Sequence, residues 1–266
     1  MRVRHELLVI PGLKPSLEGY TILHVSDIHF NRSVAMNATL RKQLHSGEQD
    51  LVLITGDFVT HDRETSSLIE FLKGSTAKDG IYGILGNHDY SYRTFGQHFL
   101  HKIANRQYRP NDWKRMVALL SEIGIRVLVN ESLVLVTRGG GQIYLEGTDD
   151  PVLGTPVIAD QNSEFANSDL KILMSHSPDI LYSDQIKKKE FDLVLSGHTH
   201  GGQVRIPGIG PLVTGTERAS RQESYGMFAK GKMRVNVSAG IGYSNLPIRV
   251  NCPPEVILIE LSGSPC

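Results

Sequence analysis

The sequence contains little cysteine and has no excess charge of either sign. Only Cys252 and Cys266 are present among 266 residues, too few for a disulfide framework and not spaced as a thiolate metal site. Lys plus Arg and Asp plus Glu each number 28, so no overall field favours nucleic acid or an anionic membrane. We therefore expect a chain of a reducing compartment, the cytoplasm, without specific nucleic-acid binding.

A long apolar run is also absent. The apolar patch nearest the N-terminus runs from Leu7 to Ile10 and ends at Pro11 and Gly12, whereas a membrane span needs about 20 apolar residues and a signal peptide about 7–15. The sequence thus predicts no transmembrane segment. We interpret residues 1–19 as an N-terminal arm, with Leu7–Ile10 as an edge strand or packed segment. A peripheral membrane contact through this patch stays open.

Seven apolar runs rich in β-branched residues indicate buried strands. They are Thr21–Val25, Leu51–Thr55, Ile81–Leu85, Leu170–Met174, Leu193–Leu195, Val235–Val237 and Val256–Leu261. Amphipathic stretches that are typical of helices lie between them, namely Val34–Leu44, Thr65–Leu72, Asp112–Ile123 and Pro178–Lys188. Leu133–Val136 and Ile143–Leu145 flank a glycine-rich turn and predict a hairpin. The pattern predicts one α/β domain over residues 1–266, with two packed mixed β-sheets in a sandwich flanked by α-helices.

Polar clusters directly follow five of these runs, at the carboxyl ends where α/β sheets build their sites. They are Asp27-Ile28-His29, Gly56-Asp57, Gly86-Asn87-His88-Asp89, Ser175-His176-Ser177 and Gly197-His198-Thr199-His200. Taken singly, most of these motifs are helix caps, turns or surface histidines. Taken together, they offer carboxylates, imidazoles and an amide oxygen without thiolates, a set that suits Mn, Fe or Zn better than Mg or a soft metal.

The order and composition of these motifs resemble the signature of the calcineurin-like metallophosphoesterases, over residues 20–262. Within that superfamily, the strings Gly86–Tyr90 and Gly197–Gln203 are similar to those of a bacterial phosphodiesterase branch. That branch includes hydrolases of UDP-2,3-diacylglucosamine, a lipid A precursor. The resemblance implies the four-layer sandwich of the superfamily and hydrolysis of phosphate esters or anhydrides.

The resemblance also implies two divalent metal ions, with Mn favoured, Fe or Zn as alternatives and Mg less favoured. The first ion would be held by Asp27, His29, Asp57 and His200, and the second by Asp57, Asn87, His176 and His198, with Asp57 as the bridge. A hydroxide bridging the ions would attack phosphorus. His88 matches no ligand position and is expected to act on the substrate as a general acid or a stabiliser of charge, with Asp89 orienting its imidazole.

Residues 91–115 form a candidate substrate lid. Six cations and one acid lie between Arg93 and Arg115, with aromatic residues interspersed. Such a segment could bring cations to a phosphate and aromatic rings to a base, sugar or acyl chain. A solvated helix with an aromatic underside is an equally weighted alternative. Arg93 and Arg109 are the candidate substrate contacts.

The predicted function is hydrolysis of a phosphodiester or pyrophosphate in a phosphorylated small molecule or a lipid-linked substrate such as UDP-2,3-diacylglucosamine. Cyclic nucleotides and phosphoproteins are weaker candidates, and a phosphomonoesterase is an alternative. A non-catalytic scaffold of the same fold would be expected to lack ligands or His88, and none is missing. A metal-dependent amide hydrolase is a third class, separable by the products that the enzyme releases.

Overall fold

The computed structural model describes residues 1–92, 109–160, 162–243 and 247–264. One mixed sheet contains β1 (Arg2–Val9), β2 (Thr21–Val25), β3 (Leu51–Thr55), β4 (Ile81–Ile84), β7 (Ile125–Val127) and β16 (Glu255–Ser262), in the order β1-β16-β2-β3-β4-β7. A second contains β8 (Glu131–Val136), β9 (Gln142–Gly147), β10 (Leu170–Met174), β11 (Leu193–Ser196), β14 (Gly226–Lys230) and β15 (Met233–Val237), in the order β14-β15-β11-β10-β9-β8. The short strands β5 (Ser91–Tyr92) and β6 (Arg109–Pro110) form one ribbon, and β12 (Arg205–Ile206) and β13 (Gly210–Pro211) form another.

Short helices connect the strands. The α-helices are α1 (Arg32–Ala35), α2 (Ala38–His45), α3 (Thr65–Leu72), α4 (Asn87–Tyr90), α5 (Trp113–Glu122) and α6 (Ser163–Asn167). Short 3-10 helices cover Pro15–Leu17, Asp62–Glu64, Pro178–Tyr182, Ile186–Lys188, His200–Gly202 and Gln222–Ser224.

The alternating direction of side chains along the strands divides the hydrophobic core into layers. In β3, Leu51 and Leu53 belong to the apolar cluster between the sheets, while Val52 and Ile54 join the cluster that holds the apolar faces of α2, α3 and α5. In the second sheet, Leu173 points away from the first sheet and packs in a third cluster with α6. Successive side chains of a strand point to opposite faces, so each sheet is covered on both sides. The predicted four-layer α/β sandwich is confirmed.

Most of the predicted elements are present, and the differences have local causes. The seven predicted strands occur within two residues of their predicted ends, and β8 and β9 form the predicted antiparallel hairpin. The segment Val34–Leu44 is divided because the side chain of Asn37 accepts the N–H of Leu40 and starts α2 as a new helix.

The prediction of one helix over Pro178–Lys188 is wrong. The segment forms two 3-10 helices separated by residues 183–185, and the backbone of Ser183 is extended with ψ of 150°. The Asp179 carboxylate accepts the N–H groups of residues 217–219 and thereby fixes the first turn against a neighbouring loop. The amphipathic pattern of the sequence carries no information about this tertiary contact, and the contact overrides the preference for a single helix.

The N-terminal segment is the edge strand of the first sheet. β1 pairs in parallel with β16 along its whole length, from Arg2 opposite Glu255 to Val9 opposite Ser262. The apolar patch at Leu7–Ile10 therefore lies mostly within this strand, with Leu8 buried. Within the described part of the chain, no helix has the length and apolarity that a membrane span requires.

Candidate metal centre

The predicted ligands meet because they follow parallel strands in both sheets. Asp27 and Asp57 come after β2 and β3, which are parallel neighbours, and Asn87 begins α4 after the adjoining β4. His176 and His198 follow β10 and β11, a parallel pair in the second sheet. Carboxyl ends of parallel strands lie at one edge of a sheet. Since the sheets pack face to face, both edges contribute to one site.

Four buried side chains converge at the first predicted metal position. Asp27, His29, Asp57 and His200 each offer one ligand atom, and these atoms lie within 4.8 Å of one another. The Nε2 atoms of His29 and His200 are 3.2 Å apart, and Nε2 of His200 lies 3.5 Å from Oδ1 of Asp27. Two carboxylates and two imidazoles at this spacing match the donors that borderline divalent cations bind.

Asp57 joins this group to the remaining predicted ligands. Its Oδ2 lies 3.4 Å from Nε2 of His29 and 3.3 Å from Nε2 of His176. Its Oδ1 accepts the backbone N–H of His88 at 2.8 Å, which fixes the orientation of the carboxylate. Nδ1 of His198 is 3.0 Å from Oδ1 of Asn87. The rings of His198 and His176 are 5.1 Å apart between centroids, so all seven predicted ligands lie in one connected cluster.

The tautomer of His176 indicates that a positive charge belongs between His176 and Asp57. Nδ1 of His176 lies 2.7 Å from the carbonyl oxygen of Thr55, which only accepts hydrogen bonds, so Nδ1 carries the proton. In the neutral ring, Nε2 then presents a lone pair toward the Asp57 carboxylate. This buried Nε2 has no hydrogen-bond partner. Two acceptors facing each other in a buried site need a positive charge between them, either a proton or a metal ion.

The same residues have an uncommon backbone conformation. The φ angles are positive at Asp27 (48°), His29 (41°), Asp57 (54°), His198 (68°) and His200 (50°). Side chains other than glycine are disfavoured in this region, at a cost of order 1–3 kcal/mol each. Such strain persists where surrounding structure enforces it, and its concentration at five of the seven predicted ligands marks this edge as the functional site.

Two glycines permit the close approach of the strand ends. Gly56 has a φ of 85°, and a Cβ atom there would lie 2.7 Å from Nδ1 of His176. A Cβ atom at Gly197 would lie 1.7 Å from Oγ of Ser26 and 2.3 Å from Oδ2 of Asp27. Any larger residue at either position would displace a predicted ligand.

Burial and neighbouring charges shift the protonation of the cluster. Burial favours the neutral form of Asp57, but the neighbouring imidazoles, foremost His176, outweigh it and hold the pKa of Asp57 well below its usual range. Burial likewise favours neutral His176, but the Asp57 carboxylate prevails and raises the pKa of His176 well above its usual range. A metal ion that binds between these groups therefore has to displace a proton from His176.

His88 lies at the rim of the cluster. It lines the open cleft, and its ring stands edge-on to that of His29 with 4.9 Å between the centroids. Burial, aided by neighbouring imidazoles, lowers the pKa of His88 to about 4. The ring is therefore neutral near pH 7. Its buried Nδ1 has no hydrogen-bond partner.

Asp89 does not hold the His88 imidazole, contrary to expectation. Its Oδ1 accepts the N–H of Val59 at 3.2 Å, and its Oδ2 accepts the N–H of Gly86 at 2.9 Å. The buried carboxylate thus ties the loop after β3 to the start of α4. This holds the start of α4, where the His88 N–H meets Asp57, so Asp89 positions the site through the backbone.

The centre opens into a cleft of about 260 Å³. It is lined by Asp57, Asn87, His88, His198, Thr199, His200, Gly202, Gln203, Val213, Thr214 and Gly215. Arg93 and the greater part of the candidate lid lie outside the described residues. Arg109 is exposed in β6 and does not line the described part of the cleft. Its role as a substrate contact stays a prediction.

Sequence reasoning did not find the groups that fix the outer nitrogens of the imidazoles. Nδ1 of His29 lies 2.9 Å from Oγ1 of Thr60, and Nε2 of His198 lies 3.1 Å from the carbonyl oxygen of Gly215. Nη2 of Arg249 lies 3.3 Å from Nδ1 of His200. The sequence did contain one indication of a role for Arg249, because it is the only charged residue in the segment 239–254.

Several known proteins are similar in sequence to this chain over most of its length. The metallophosphoesterase YkuE of Bacillus subtilis is 27% identical over 254 residues, which cover 93% of this chain and 80% of that protein. The phosphodiesterase YaeI of Escherichia coli is 29% identical over 267 residues, which cover 97% of this chain and 87% of that protein. The UDP-2,3-diacylglucosamine pyrophosphatase LpxG of Chlamydia muridarum is 25% identical over 300 residues, which cover 96% of this chain and 88% of that protein.

The sequence model of the calcineurin-like phosphoesterases matches residues 20–202. This span contains all seven predicted ligands and His88. It includes the strands of both sheets that lead into the cleft. The chain therefore belongs to the calcineurin-like phosphoesterase family of metal-dependent hydrolases.

Proposed function

We propose that the protein hydrolyses phosphodiester or pyrophosphate bonds with two divalent ions, for which Asp57 is the shared ligand. The observation that carries this proposal is the position of Oδ2 of Asp57, 3.4 Å from His29 and 3.3 Å from His176. One carboxylate oxygen thus adjoins both groups of ligands. The first group is Asp27, His29, Asp57 and His200, and the second is Asp57, Asn87, His176 and His198.

When bound, two such ions would lower the pKa of a water between them and neutralise charge on the phosphoryl oxygens. The mixture of imidazoles and oxygen donors favours Mn, with Fe or Zn as alternatives and Mg less suited. The protein holds the donors in place: Thr55 fixes His176, Thr60 contacts His29, and the backbone of His88 orients Asp57. These outer contacts set which nitrogen faces the centre.

His88 acts on the substrate. Of the two roles considered for it, the low pKa of its buried imidazole favours donation of a hydrogen bond by the neutral ring over protonation of the leaving group by an imidazolium. The ring lies on the cleft wall together with Asn87 and His198. A phosphoryl oxygen held at the centre would come within its reach, and the hydrogen bond would strengthen as negative charge develops.

The substrate class is a phosphorylated small molecule, with a nucleotide-sugar lipid such as UDP-2,3-diacylglucosamine as a specific candidate. Two relatives support this choice, since one is named a phosphodiesterase and another a UDP-2,3-diacylglucosamine pyrophosphatase. A cleft of about 260 Å³ admits a phosphate with part of its substituents. The remainder of a lipid-linked substrate would then extend beyond the described walls.

The test is an assay of protein that has been stripped of metal and reloaded with Mn. The substrates are bis(p-nitrophenyl) phosphate, p-nitrophenyl phosphate and UDP-2,3-diacylglucosamine. The Asp57→Asn variant removes the shared ligand while keeping its shape, and Asp160→Asn makes the same change at an exposed position. We expect Mn-dependent cleavage of the diester or pyrophosphate by the wild type and by Asp160→Asn, but not by Asp57→Asn. Preference for the monoester, or equal activity of Asp57→Asn, would contradict the proposal.

A further inference from the structure

An exposed aliphatic surface surrounds the β12–β13 hairpin. It consists of Ile206, Ile209, Leu212, Val213, Ile248 and Val250. The exposed fraction is 60% for Ile209 and 72% for Val213. Single exposed aliphatic residues are ordinary on a protein surface, but contiguous groups mark places where another molecule is bound. We call these six residues the hairpin surface.

Backbone hydrogen bonds bring the segments of the hairpin surface together. The N–H of Arg205 donates to the carbonyl of Val250 at 3.0 Å, and the N–H of Val250 donates to the carbonyl of Gln203 at 2.8 Å. The N–H of Leu212 donates to Val204 at 3.2 Å and closes the base of the hairpin. Residues 248–250 are therefore held beside the hairpin, so the six exposed residues lie on neighbouring segments.

The hairpin surface adjoins the mouth of the catalytic cleft. Val213 belongs to the surface and also lines the cleft. The hairpin is packed tightly against the turn that follows His200, since a Cβ atom at Gly202 would lie 2.3 Å from Cβ of Pro211. His200 is only two residues before Gly202. A molecule that covers the hairpin surface would therefore lie next to the entrance of the cleft.

The chemistry of the hairpin surface favours lipid over protein. All six side chains are aliphatic, whereas the cores of protein interfaces are enriched in aromatic residues and methionine. The segments 198–216 and 239–254 contain no Asp or Glu. No carboxylate of these segments would repel an anionic headgroup or lose hydration at the membrane. The turn Ile206-Pro207-Gly208-Ile209 places two isoleucines near the end of a narrow hairpin.

We propose that the hairpin surface docks the enzyme on a lipid bilayer, with the cleft facing the membrane interface. Ile206 and Ile209 enter the boundary between headgroups and acyl chains, and Val213 lies where bilayer and cleft meet. The docking itself depends only on this surface. Its use, delivery of a lipid-linked phosphate from the bilayer to the metal centre, rests on the proposed function.

Sedimentation of the full chain with vesicles of phosphatidylcholine and phosphatidylglycerol tests the docking. The Ile206→Asp/Ile209→Asp variant places charge at the turn. The matched control is Val136→Asp, which changes a residue with 70% exposure. Val136 pairs with Gln142 at the start of β9, the end of that strand opposite the metal centre. We expect the vesicle partition coefficient of the double variant to fall by about tenfold or more and that of the control to stay unchanged.

Equal binding by all three proteins, or no vesicle binding by the wild type, would overturn the docking. A concentration-dependent dimer that the double variant loses, without vesicle binding, would assign the surface to a second copy and would also overturn it. Hydrolysis of bis(p-nitrophenyl) phosphate by the double variant at the wild-type rate shows that its fold and centre are intact. If that variant fails to fold, Ile248→Asp takes its place. A wild type that binds vesicles but hydrolyses no phosphate compound would refute the proposed function and leave the docking in place.

Discussion

Asp27 follows a strand of the first sheet and His200 follows a strand of the second, and Oδ1 of Asp27 lies 3.5 Å from Nε2 of His200. Asp57 and His176 make the same connection at 3.3 Å. The candidate metal centre thus lies across the seam between the two sheets. An ion bound there is expected to hold the sheets together as well as to serve in catalysis.

Metal binding should therefore stabilise the fold. At a free Mn concentration of about 100 times the dissociation constant, the gain in the free energy of unfolding is about 2.7 kcal/mol. For a chain of this size, that gain corresponds to an increase in Tm of roughly 5–10 °C. Thermal unfolding with Mn and with EDTA measures it. The Asp57→Asn variant should lose most of the increase, and an unchanged increase in that variant would argue against binding at this centre.

Replacing Asp57 and replacing His88 should have different effects on metal content and turnover. Asp57→Asn removes the shared ligand, so bound metal and turnover should fall together. His88→Asn removes an imidazole that we propose acts on the substrate and that is not among the predicted ligands, so we expect metal content to stay at the wild-type level while kcat falls by about 10²–10⁴-fold. Elemental analysis combined with steady-state kinetics separates the two effects. Equal metal loss in both variants would refute the division of roles.

Gly197 should not tolerate a methyl group. A Cβ atom there would lie 2.3 Å from Oδ2 of Asp27, so Gly197→Ala has to displace that ligand. We expect the affinity for the Mn ion that Asp27 would hold to fall by about 10–100-fold. Gly263→Ala is the control, because its Cβ atom would lie no closer than 3.3 Å to a neighbour. Isothermal titration with Mn compares the two, and equal affinities would contradict the expectation.

His24 should make the fold sensitive to acid. Its buried ring contacts Thr55 at 2.8 Å, and burial, with Arg4 nearby, lowers the pKa of His24 to about 3. Because the unfolded chain has the higher pKa, it binds the proton more readily, and stability is lost as the pH falls from about 6.5 toward 3. At pH 5 this group alone should cost about 2 kcal/mol relative to pH 7.5.

Urea unfolding at pH 7.5 and pH 5 measures this loss, and His24→Leu provides the comparison. The variant lacks the titrating ring at a buried position, so its stability should fall less between the two pH values. The quantity to compare is the difference between the pH effects, since other groups titrate equally in both proteins. The same loss in the wild type and in His24→Leu would exclude His24 as the source.

The strands and the clustering of polar residues at their ends could be predicted because one physical rule governs both. Apolar runs such as β3 are buried on both faces, and the polar residue that ends such a run, here Asp57, comes to the edge of the sheet. Contacts between segments that are distant in the sequence could not be predicted. Arg249 approaches His200 only through the fold, and Asp179 breaks a helical pattern by binding residues 217–219.

The role of Asp89 illustrates the same limit. Its proximity in sequence to His88 favoured a direct contact, yet the short helix α4 turns the carboxylate back to the N–H groups of Gly86 and Val59. An acidic residue at the third position of a helix commonly satisfies backbone donors at the helix start. Local capping therefore took precedence over the expected contact between side chains.

The central claim is a pair of metal ions that share Asp57. Anomalous diffraction from crystals of the Mn-loaded protein tests it most directly. The account predicts two peaks roughly 3.5–4 Å apart, both within coordinating distance of the Asp57 carboxylate. A single peak, or two peaks that do not share Asp57, would contradict it.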